Sequence, residues 1–167
     1  MREQYDATEF CHRFALEALK KSPKASERDK AIAMYKLGCS RQQHGDYNGV
    51  ELLFRESYQI LKQEVVKNPS DAEALNIMAY LTFLSTDSSG AHDMWQRAIK
   101  AALTKKGKEK LQAAEALSWL ARMRPEANLN PLKGGQTESL FKQSLDVVES
   151  VVGKEHPEVA TKLDELG

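Results

Sequence analysis

The segment TESLFKQSLDVVESVVGKEHPEVA, residues 137–160, carries the signals of a helix, a turn and the start of a second helix. In its first part, apolar residues recur three and four positions apart, which is the period of a helix with one buried face. Gly153 can end this helix, and Pro157 can start the next one, because proline is tolerated at a first helical position whose N–H has no partner. The segment therefore predicts two consecutive helices joined by a short turn.

His156 lies in this turn between Glu155 and Glu158, an arrangement that could supply acid–base chemistry or a metal ligand. Acidic residues are also favoured in the first turn of a helix, where they interact with the helix macrodipole. The histidines of the chain form no i, i+4 pair and no H-E-x-x-H motif. They are His12, His44, His92 and His156. The sequence therefore favours a turn at His156 and predicts no metal site.

The rest of the chain shows helical periodicity interrupted by short turn signals, with no alternating strand pattern. Ser26 is a predicted N-cap, Ser70 or Asp71 is another, and the third helix is predicted to start at Asp46. Turn signals lie at Ser22-Pro23, at residues 44–49, 68–71, 86–90 and 105–108, at residues 124–135 and at Gly153–Pro157. The prediction is an all-α fold of about eight helices.

These helices repeat along the chain. The first helix of each repeat carries a similar pair of residues, and successive pairs are 41, 42 and 46 residues apart. The pairs are Leu37-Gly38, Met78-Ala79, Leu120-Ala121 and Leu166-Gly167. On the second helices, a small-residue slot holds Ala15, Ser57, Ala98 and Ser144, and an aromatic slot three positions earlier holds His12, Phe54, Trp95 and Phe141. Small residues let two antiparallel helices approach closely, and a large ring fills the remaining gap. Stacked copies of such a pair build a continuous core.

This pattern resembles the tetratricopeptide repeat (TPR) family, which has Leu-Gly or Leu-Ala on the first helix and small and aromatic slots on the second. The period near 42 residues is similar to the longer repeats of kinesin light chains, which close with a Gly-x-x-His-Pro turn followed by Val-Ala. Here these residues are Gly153–Pro157 and then Val159-Ala160. The resemblance covers residues 8–167 and implies a right-handed α-solenoid of antiparallel helix pairs.

Three features depart from the family pattern. His12 occupies an aromatic slot, and Val50 is large for the slot that Thr8, Ala91 and Thr137 hold in the other second helices. The third repeat has about four extra residues, and Pro125 is expected to end or kink its first helix early. The predicted organisation is a single TPR-like domain over residues 1–167. It comprises an unpaired helix at 4–21, repeats at about 26–67, 70–105 and 108–152, and the start of a further repeat at 156–167. Because Leu163 and Leu166 would leave an apolar end, we expect a fragment of a longer array, although the first helix could instead be a cap.

The composition of the 167 residues is that of an ordinary globular chain, with 41% hydrophobic and 29% charged residues. Basic and acidic residues both number 24, and this zero net charge argues against binding to nucleic acid or to an anionic membrane surface. The longest apolar run, Ile77–Leu84, is too short to span a bilayer. The absence of a secretory signal and the presence of only two cysteines favour an intracellular, cytoplasmic protein.

Motifs for catalysis are weak. Ser139 and Lys142 form an S-x-x-K sequence without the companion motifs of that enzyme class, and Asp87–Gly90 lacks the acidic ladder of a calcium loop. We therefore expect no enzymatic activity and no cofactor. One basic cluster spans a predicted turn and could bind RNA, but a solvated turn is favoured; it consists of Lys100, Lys105, Lys106, Lys108 and Lys110.

In the TPR family, the first helices line a concave groove that binds a peptide or a helix of another protein. The resemblance implies a partner-binding groove here, formed by Tyr35, Lys36, Cys39, Gln42, Asn76, Tyr80, Phe83, Trp119 and Arg122. For Phe83 and Trp119, a place in the core is an equally good interpretation. Some TPR proteins bind acidic chaperone tails through a carboxylate clamp. The corresponding slots hold Tyr35, Cys39, Ile77, Glu115 and Trp119, so the clamp is not expected.

The predicted function is a non-enzymatic scaffold that binds a partner protein. Two alternatives are RNA binding through the turn at Lys100–Lys110 and end-to-end self-association. The second alternative would give homo-oligomers in which the Leu163–Leu166 face packs on the helix containing Phe10 and Phe14.

Overall fold

The computed structural model of the chain describes residues 2–123 and 134–164, and all regular structure in these ranges is helical. The eight α-helices are α1 (Arg2–Lys21), α2 (Glu27–Gln43), α3 (Val50–Lys67), α4 (Ala72–Leu84), α5 (Ser88–Leu103), α6 (Leu111–Arg122), α7 (Gly134–Val152) and α8 (Pro157–Asp164). A 3₁₀ turn at Gly107–Lys110 precedes α6. The all-α prediction is confirmed.

The chain divides into two compact units, which we describe separately. The N-terminal unit, residues 1–69, contains α1 to α3, and α2 packs against both of its neighbours. The C-terminal unit, residues 70–167, contains α4 to α8, and each helix packs against the next one in sequence. Within each unit, consecutive helices therefore form the packed pairs of a helical repeat.

The first turns of three helices are closed by the side chains of their N-cap residues. Ser26 Oγ accepts from the Asp29 N–H at 3.0 Å, and Asp71 Oδ1 accepts from the Ala74 N–H at 3.1 Å. Asp87 Oδ1 accepts from the Gly90 N–H at 2.9 Å, so the predicted turn signal at residues 86–90 lies at a capped helix start. Each such cap is worth about 1 kcal/mol of stability.

The start of α3 differs from the prediction. The helix begins at Val50, and the expectation that it begins at Asp46 is wrong. The Asp46 carboxylate accepts from the Asn48 N–H at 3.0 Å, which holds the chain in a local turn. Gly49 then has φ of 71°, in the left-handed region that glycine adopts without strain, so helical geometry cannot start before Val50.

The turn between α7 and α8 agrees with the sequence prediction. Helix α7 ends at Val152, Gly153 has φ of 87°, and α8 begins at Pro157. The His156 carbonyl accepts from the Val159 N–H at 2.9 Å, and the histidine side chain is exposed. His156 therefore belongs to the turn that starts α8.

The predicted small-residue and aromatic slots form the contacts within helix pairs. The Phe54 ring occupies the space that a side chain at Gly38 would fill. Ser57 Oγ donates to the Ala31 carbonyl at 2.8 Å, and Ser144 Oγ donates to the Ala114 carbonyl, also at 2.8 Å. The same hydrogen bond therefore occurs in both units and joins equivalent helices, which supports the alignment of the repeats.

Several predicted features lie outside the described residues, among them Pro125, the rest of residues 124–133 and the Leu166-Gly167 step. Within residues 2–123 and 134–164, no helix combines the length and the apolar character that crossing a bilayer requires.

Candidate partner-binding surface

The predicted groove residues fall into two sets, one in each unit. Four of them lie on α2 of the N-terminal unit: Tyr35, Lys36, Cys39 and Gln42. In the C-terminal unit, three lie on α4 and two on α6: Asn76, Tyr80, Phe83, Trp119 and Arg122. The structure brings four of these five residues, all except Asn76, together around a group of aromatic rings.

Four rings of the C-terminal unit form a continuous array, which we call the aromatic cluster: Tyr80, Phe83, Trp95 and Trp119. The Tyr80 and Trp119 ring centroids are 4.8 Å apart and tilted by 50°. Trp119 stacks on Trp95 at 6.0 Å with only 6° between the ring planes, and Phe83 lies 5.9 Å from Trp95. These separations are in the range of favourable aromatic pairs, so the rings hold one another in place.

Burial in the aromatic cluster decreases from its centre to its edge. Trp95 on α5 is fully buried, whereas Tyr80, Phe83 and Trp119 are half-buried. Phe83 and Trp119 each pack on a core tryptophan and also reach the surface. The sequence identified Trp95 only as a core residue. Its stacking with Trp119 depends on contact between α5 and α6, which the repeat pattern does not specify.

Arg122 adds a positive charge at the edge of the aromatic cluster. Its side chain is exposed, and the guanidinium carbon lies 5.4 Å from the centroid of the Trp119 ring. A cation at this distance from an indole face is attracted by about 0.5–1 kcal/mol at an exposed site. The guanidinium therefore partly covers one tryptophan face.

Asn76 does not lie where a groove residue was expected. It is only 3% exposed, and its Nδ2 donates to the Gln112 carbonyl at 2.8 Å and to Gln112 Oε1 at 2.9 Å. The side chain thus joins α4 to α6 beneath the surface. Its Oδ1 has no hydrogen-bond partner among the described residues, which is costly for a buried amide. In this conformation, Asn76 positions α4 and does not face a partner.

The N-terminal set has a simpler arrangement. Tyr35, Cys39 and Gln42 lie on one face of α2 and are half-buried, and Lys36 is exposed. The Tyr35 ring is 6.1 Å from Phe54, the aromatic residue that covers Gly38. At the equivalent position, the C-terminal unit presents three partly exposed rings around a buried tryptophan.

The weaker motifs lie at the surface. Ser139 and Lys142 are both exposed; Ser139 Oγ accepts from Gln143 and Lys142 pairs with Glu138, as expected for a solvated helix face. In the basic cluster only the last lysine is partly buried, and its Nζ donates to Ser150 Oγ at 3.2 Å; this residue is Lys110. No group of three or more potential metal ligands occurs in the part of the chain that the structure describes.

Comparison with models of known protein families gives no match for this chain, and comparison with curated proteins gives none either. The TPR resemblance therefore stays an interpretation of the repeat pattern, and the function has to be inferred from the aromatic cluster itself.

Proposed function

We propose that this chain is a non-enzymatic, TPR-like protein-binding module, and that its C-terminal unit binds a peptide or a helix of another protein. The proposed binding surface consists of Tyr80, Phe83, Trp119 and Arg122. The observation that carries the proposal is the partial exposure of three contacting rings around one buried tryptophan, with an exposed arginine at their edge. Tyrosine, tryptophan and arginine are the residues that contribute most binding energy at protein interfaces.

The packing of the aromatic cluster favours binding because the rings are already ordered. Trp119 contacts the Trp95 ring, the Tyr80 ring and the Arg122 guanidinium. Ordering a flexible side chain at an interface costs about 0.5–1.5 kcal/mol, and a ring that is fixed before binding avoids most of this cost. A partner residue that covers the remaining exposed area would gain apolar burial at about 25 cal/mol per Å².

Two further parts of the proposal come from the sequence pattern. A catalytic site requires a nucleophile, a base and an orienting group within hydrogen-bond reach, and no motif predicts such a set. We also propose that the surface does not recognise acidic chaperone tails, because the positions of the carboxylate clamp hold Tyr35, Cys39, Ile77, Glu115 and Trp119.

The proposal can be tested by selecting peptides from a displayed random library on the immobilised chain and titrating a selected peptide in solution. The only two tryptophans of the chain, Trp95 and Trp119, both belong to the aromatic cluster, so their fluorescence reports directly on the proposed surface. We expect the peptide to change this fluorescence saturably. Tyr80→Ala should weaken the affinity at least about tenfold, the effect of losing one interface hot spot.

Tyr47→Ala is the matched control, because Tyr47 is a strongly exposed tyrosine in the N-terminal unit and lies outside the aromatic cluster. Both variants should retain the helical circular dichroism spectrum of the parent chain. Equal affinity of the parent chain and Tyr80→Ala for every selected peptide would exclude the aromatic cluster as the binding surface.

A further inference from the structure

One residue of the C-terminal unit has a strained backbone. Thr86 has φ of 70°, and it is the only residue other than glycine with a positive φ in the part of the chain that the structure describes. This left-handed conformation brings the Cβ of an L-residue too close to the following carbonyl oxygen, and for a β-branched residue it is a genuine outlier. Strain of this kind persists only where the surrounding structure enforces it, and it concentrates at binding sites and switch regions.

The surrounding structure at Thr86 is the end of α4. The Thr86 N–H donates to the Phe83 carbonyl at 3.0 Å, and the Asp87 N–H donates to the Thr82 carbonyl at 3.3 Å. These two hydrogen bonds close the last turn of the helix in the Schellman pattern, in which the residue after the C-cap is usually glycine. The Thr86 side chain is exposed and makes no hydrogen bond among the described residues, so no contact of its own compensates for the strain.

The N-terminal unit contains the same turn without the strain. At the end of α2, the Gly45 N–H donates to the Gln42 carbonyl at 3.1 Å, and the Asp46 N–H donates to the Arg41 carbonyl at 3.0 Å. Gly45 has φ of 75° and lies 41 residues before Thr86, which is the spacing of the first two repeats. Equivalent helices therefore end with the same hydrogen bonds, but α4 places threonine where α2 places the residue that adopts this conformation freely.

The strained turn is joined directly to the aromatic cluster. Its hydrogen bonds are accepted by the carbonyl groups of Thr82 and Phe83, and the Phe83 ring lies 5.9 Å from the Trp95 ring. Trp95 is fully buried, and its Nε1 has no hydrogen-bond partner among the described residues. A buried donor without a partner is costly. The arrangement with Phe83 against Trp95 therefore carries a second unfavourable contribution in addition to the strain.

We propose that the α4–α5 turn is a two-state element that controls the aromatic cluster. In the closed state, which is the one in the structure, Thr86 is strained and Phe83 packs against Trp95. In the open state the hydrogen bonds of the turn are broken, Thr86 returns to a negative φ, and the Phe83 ring leaves Trp95, which gives water access to the indole N–H. A partner binds only the closed state, in which the rings are assembled, and this last step rests on the proposed function.

Amide hydrogen exchange of the full chain, followed by NMR and corrected for intrinsic rates, measures how often the turn opens. Thr86→Gly removes the strain and should slow exchange of the Asp87 amide about tenfold, which corresponds to about 1.4 kcal/mol. Exchange of the Trp95 indole N–H should slow by the same factor, because the same opening uncovers it. Unchanged or faster exchange at Asp87 would overturn the proposal, and so would slower exchange at Asp87 with an unchanged rate at the indole.

Gly45→Thr is the converse variant in the N-terminal unit. Apart from the chain neighbours, no atom of the described residues lies within 4 Å of the position of a Cβ at residue 45, so the substitution adds strain without a steric clash. Exchange of the Asp46 amide should become about tenfold faster, and exchange at Asp87 should not change. An Asp46 rate equal to that of the parent chain would show that threonine is not strained in this turn, which contradicts the proposal.

Addition of the selected peptide tests the coupling of the turn to the binding surface. At a free concentration of about one hundred times its dissociation constant, a peptide that binds only the closed state should slow exchange at Asp87 up to about a hundredfold. The Asp46 amide is the internal control and should keep its rate, because it reports on the N-terminal unit. A peptide that changes the tryptophan fluorescence but leaves the Asp87 rate unaltered would refute the coupling and leave the proposed function standing. If no peptide is selected, the proposed function fails, and the exchange rates in Thr86→Gly alone decide whether the turn is a two-state element.

Discussion

The aromatic slot is filled differently in the two units, and the difference accounts for the array of partly exposed rings in the C-terminal unit. In the N-terminal unit, Phe54 lies over Gly38 and its ring pairs with the Tyr35 ring. In the C-terminal unit, Trp95 is fully buried and contacts both Phe83 and Trp119. In both units the residue in the aromatic slot fills the gap between two helices. In the C-terminal unit this residue also contacts two partly exposed rings, Phe83 and Trp119.

The source of the difference is the first helix of the following pair. In the alignment of the repeats, Trp119 on α6 is equivalent to Lys36 on α2 and to Ile77 on α4. Only α6 carries a large ring at this position, and that ring stacks on Trp95 of the preceding helix. Ile77 is buried at the equivalent position of α4, whereas the larger Trp119 ring is only half-buried and extends the ring array to the surface.

Replacing Trp95 should have the largest effect. Trp95→Ala removes a fully buried indole that packs against Phe83 and Trp119, and a large-to-small change of this kind costs about 3–5 kcal/mol because a cavity remains. We expect the C-terminal unit to unfold at a lower urea concentration, as followed by Trp119 fluorescence. Phe54→Ala should cost less, because the Phe54 ring is only half-buried.

Introducing a side chain at Gly38 should have the next largest effect. The position of a Cβ at residue 38 lies within the Phe54 ring, so Gly38→Ala forces the ring to move, which we expect to cost about 1–3 kcal/mol. The C-terminal unit has Ala79 at the equivalent position and tolerates the larger Trp95, so the cost is specific to this local geometry. Thermal unfolding followed by circular dichroism measures it.

A double-mutant cycle isolates the Gly38 contact. Phe54→Leu in the Gly38→Ala background should recover part of the lost stability, since the smaller side chain vacates the space that the new methyl group needs. If the two substitutions are strictly additive, the steric explanation for glycine at this position is wrong.

The contrast between the units also indicates what sequence could predict. The helices, the caps at Ser26 and Asp71 and the slots of the helix pairs follow from periodicity and from local hydrogen-bonding preferences, because each depends on residues close in sequence. The predicted start of α3 at Asp46 is wrong, because the Asp46 side chain closes a turn before Gly49 and does not cap a helix. Local signals of capping and of turns use the same residue types.

The candidate site was less predictable than the fold. The sequence placed Tyr80, Trp119 and Arg122 in a groove by alignment, and the structure brings these residues together. The sequence did not predict that Asn76 would be buried and bonded to Gln112. It also did not predict that the Trp95 ring would contact both Phe83 and Trp119. These contacts join different helices, and their distances depend on packing that no short sequence pattern encodes.

The serine hydrogen bonds allow a smaller comparison between the units. Ser57 Oγ donates to the Ala31 carbonyl. Ser144 Oγ donates to the Ala114 carbonyl and also lies 3.0 Å from Ser118 Oγ, which accepts from Lys162. We expect Ser57→Ala to cost about 1 kcal/mol, the net value of one hydrogen bond. Ser144→Ala should cost more, because it also removes a partner of a buried hydroxyl group. Urea unfolding of both variants measures the difference, and equal costs would contradict it.

The smallest effect concerns the one titratable residue in an aromatic slot, His12 on α1. Burial, and to a lesser extent the nearby Lys36 charge, hold the pKa of His12 below its ordinary value of 6.5. The folded state therefore disfavours the imidazolium, and the unfolded state binds the proton more readily. The resulting contribution to stability is complete above pH 6.5 and is lost as the pH falls through the lower pKa of the folded state.

His12→Phe separates this contribution from the rest of the acid response. The substitution restores the ring type that Phe54 and Phe141 provide at the same slot, and it removes the titrating group. We expect the melting temperature of the variant to fall less than that of the parent chain between pH 8 and pH 5, with other titrating groups contributing equally to both. Because His12 is only partly buried, the difference should be a small fraction of the total acid destabilisation. Parallel melting curves for the two proteins across this range would show that His12 titrates alike in the folded and unfolded chains.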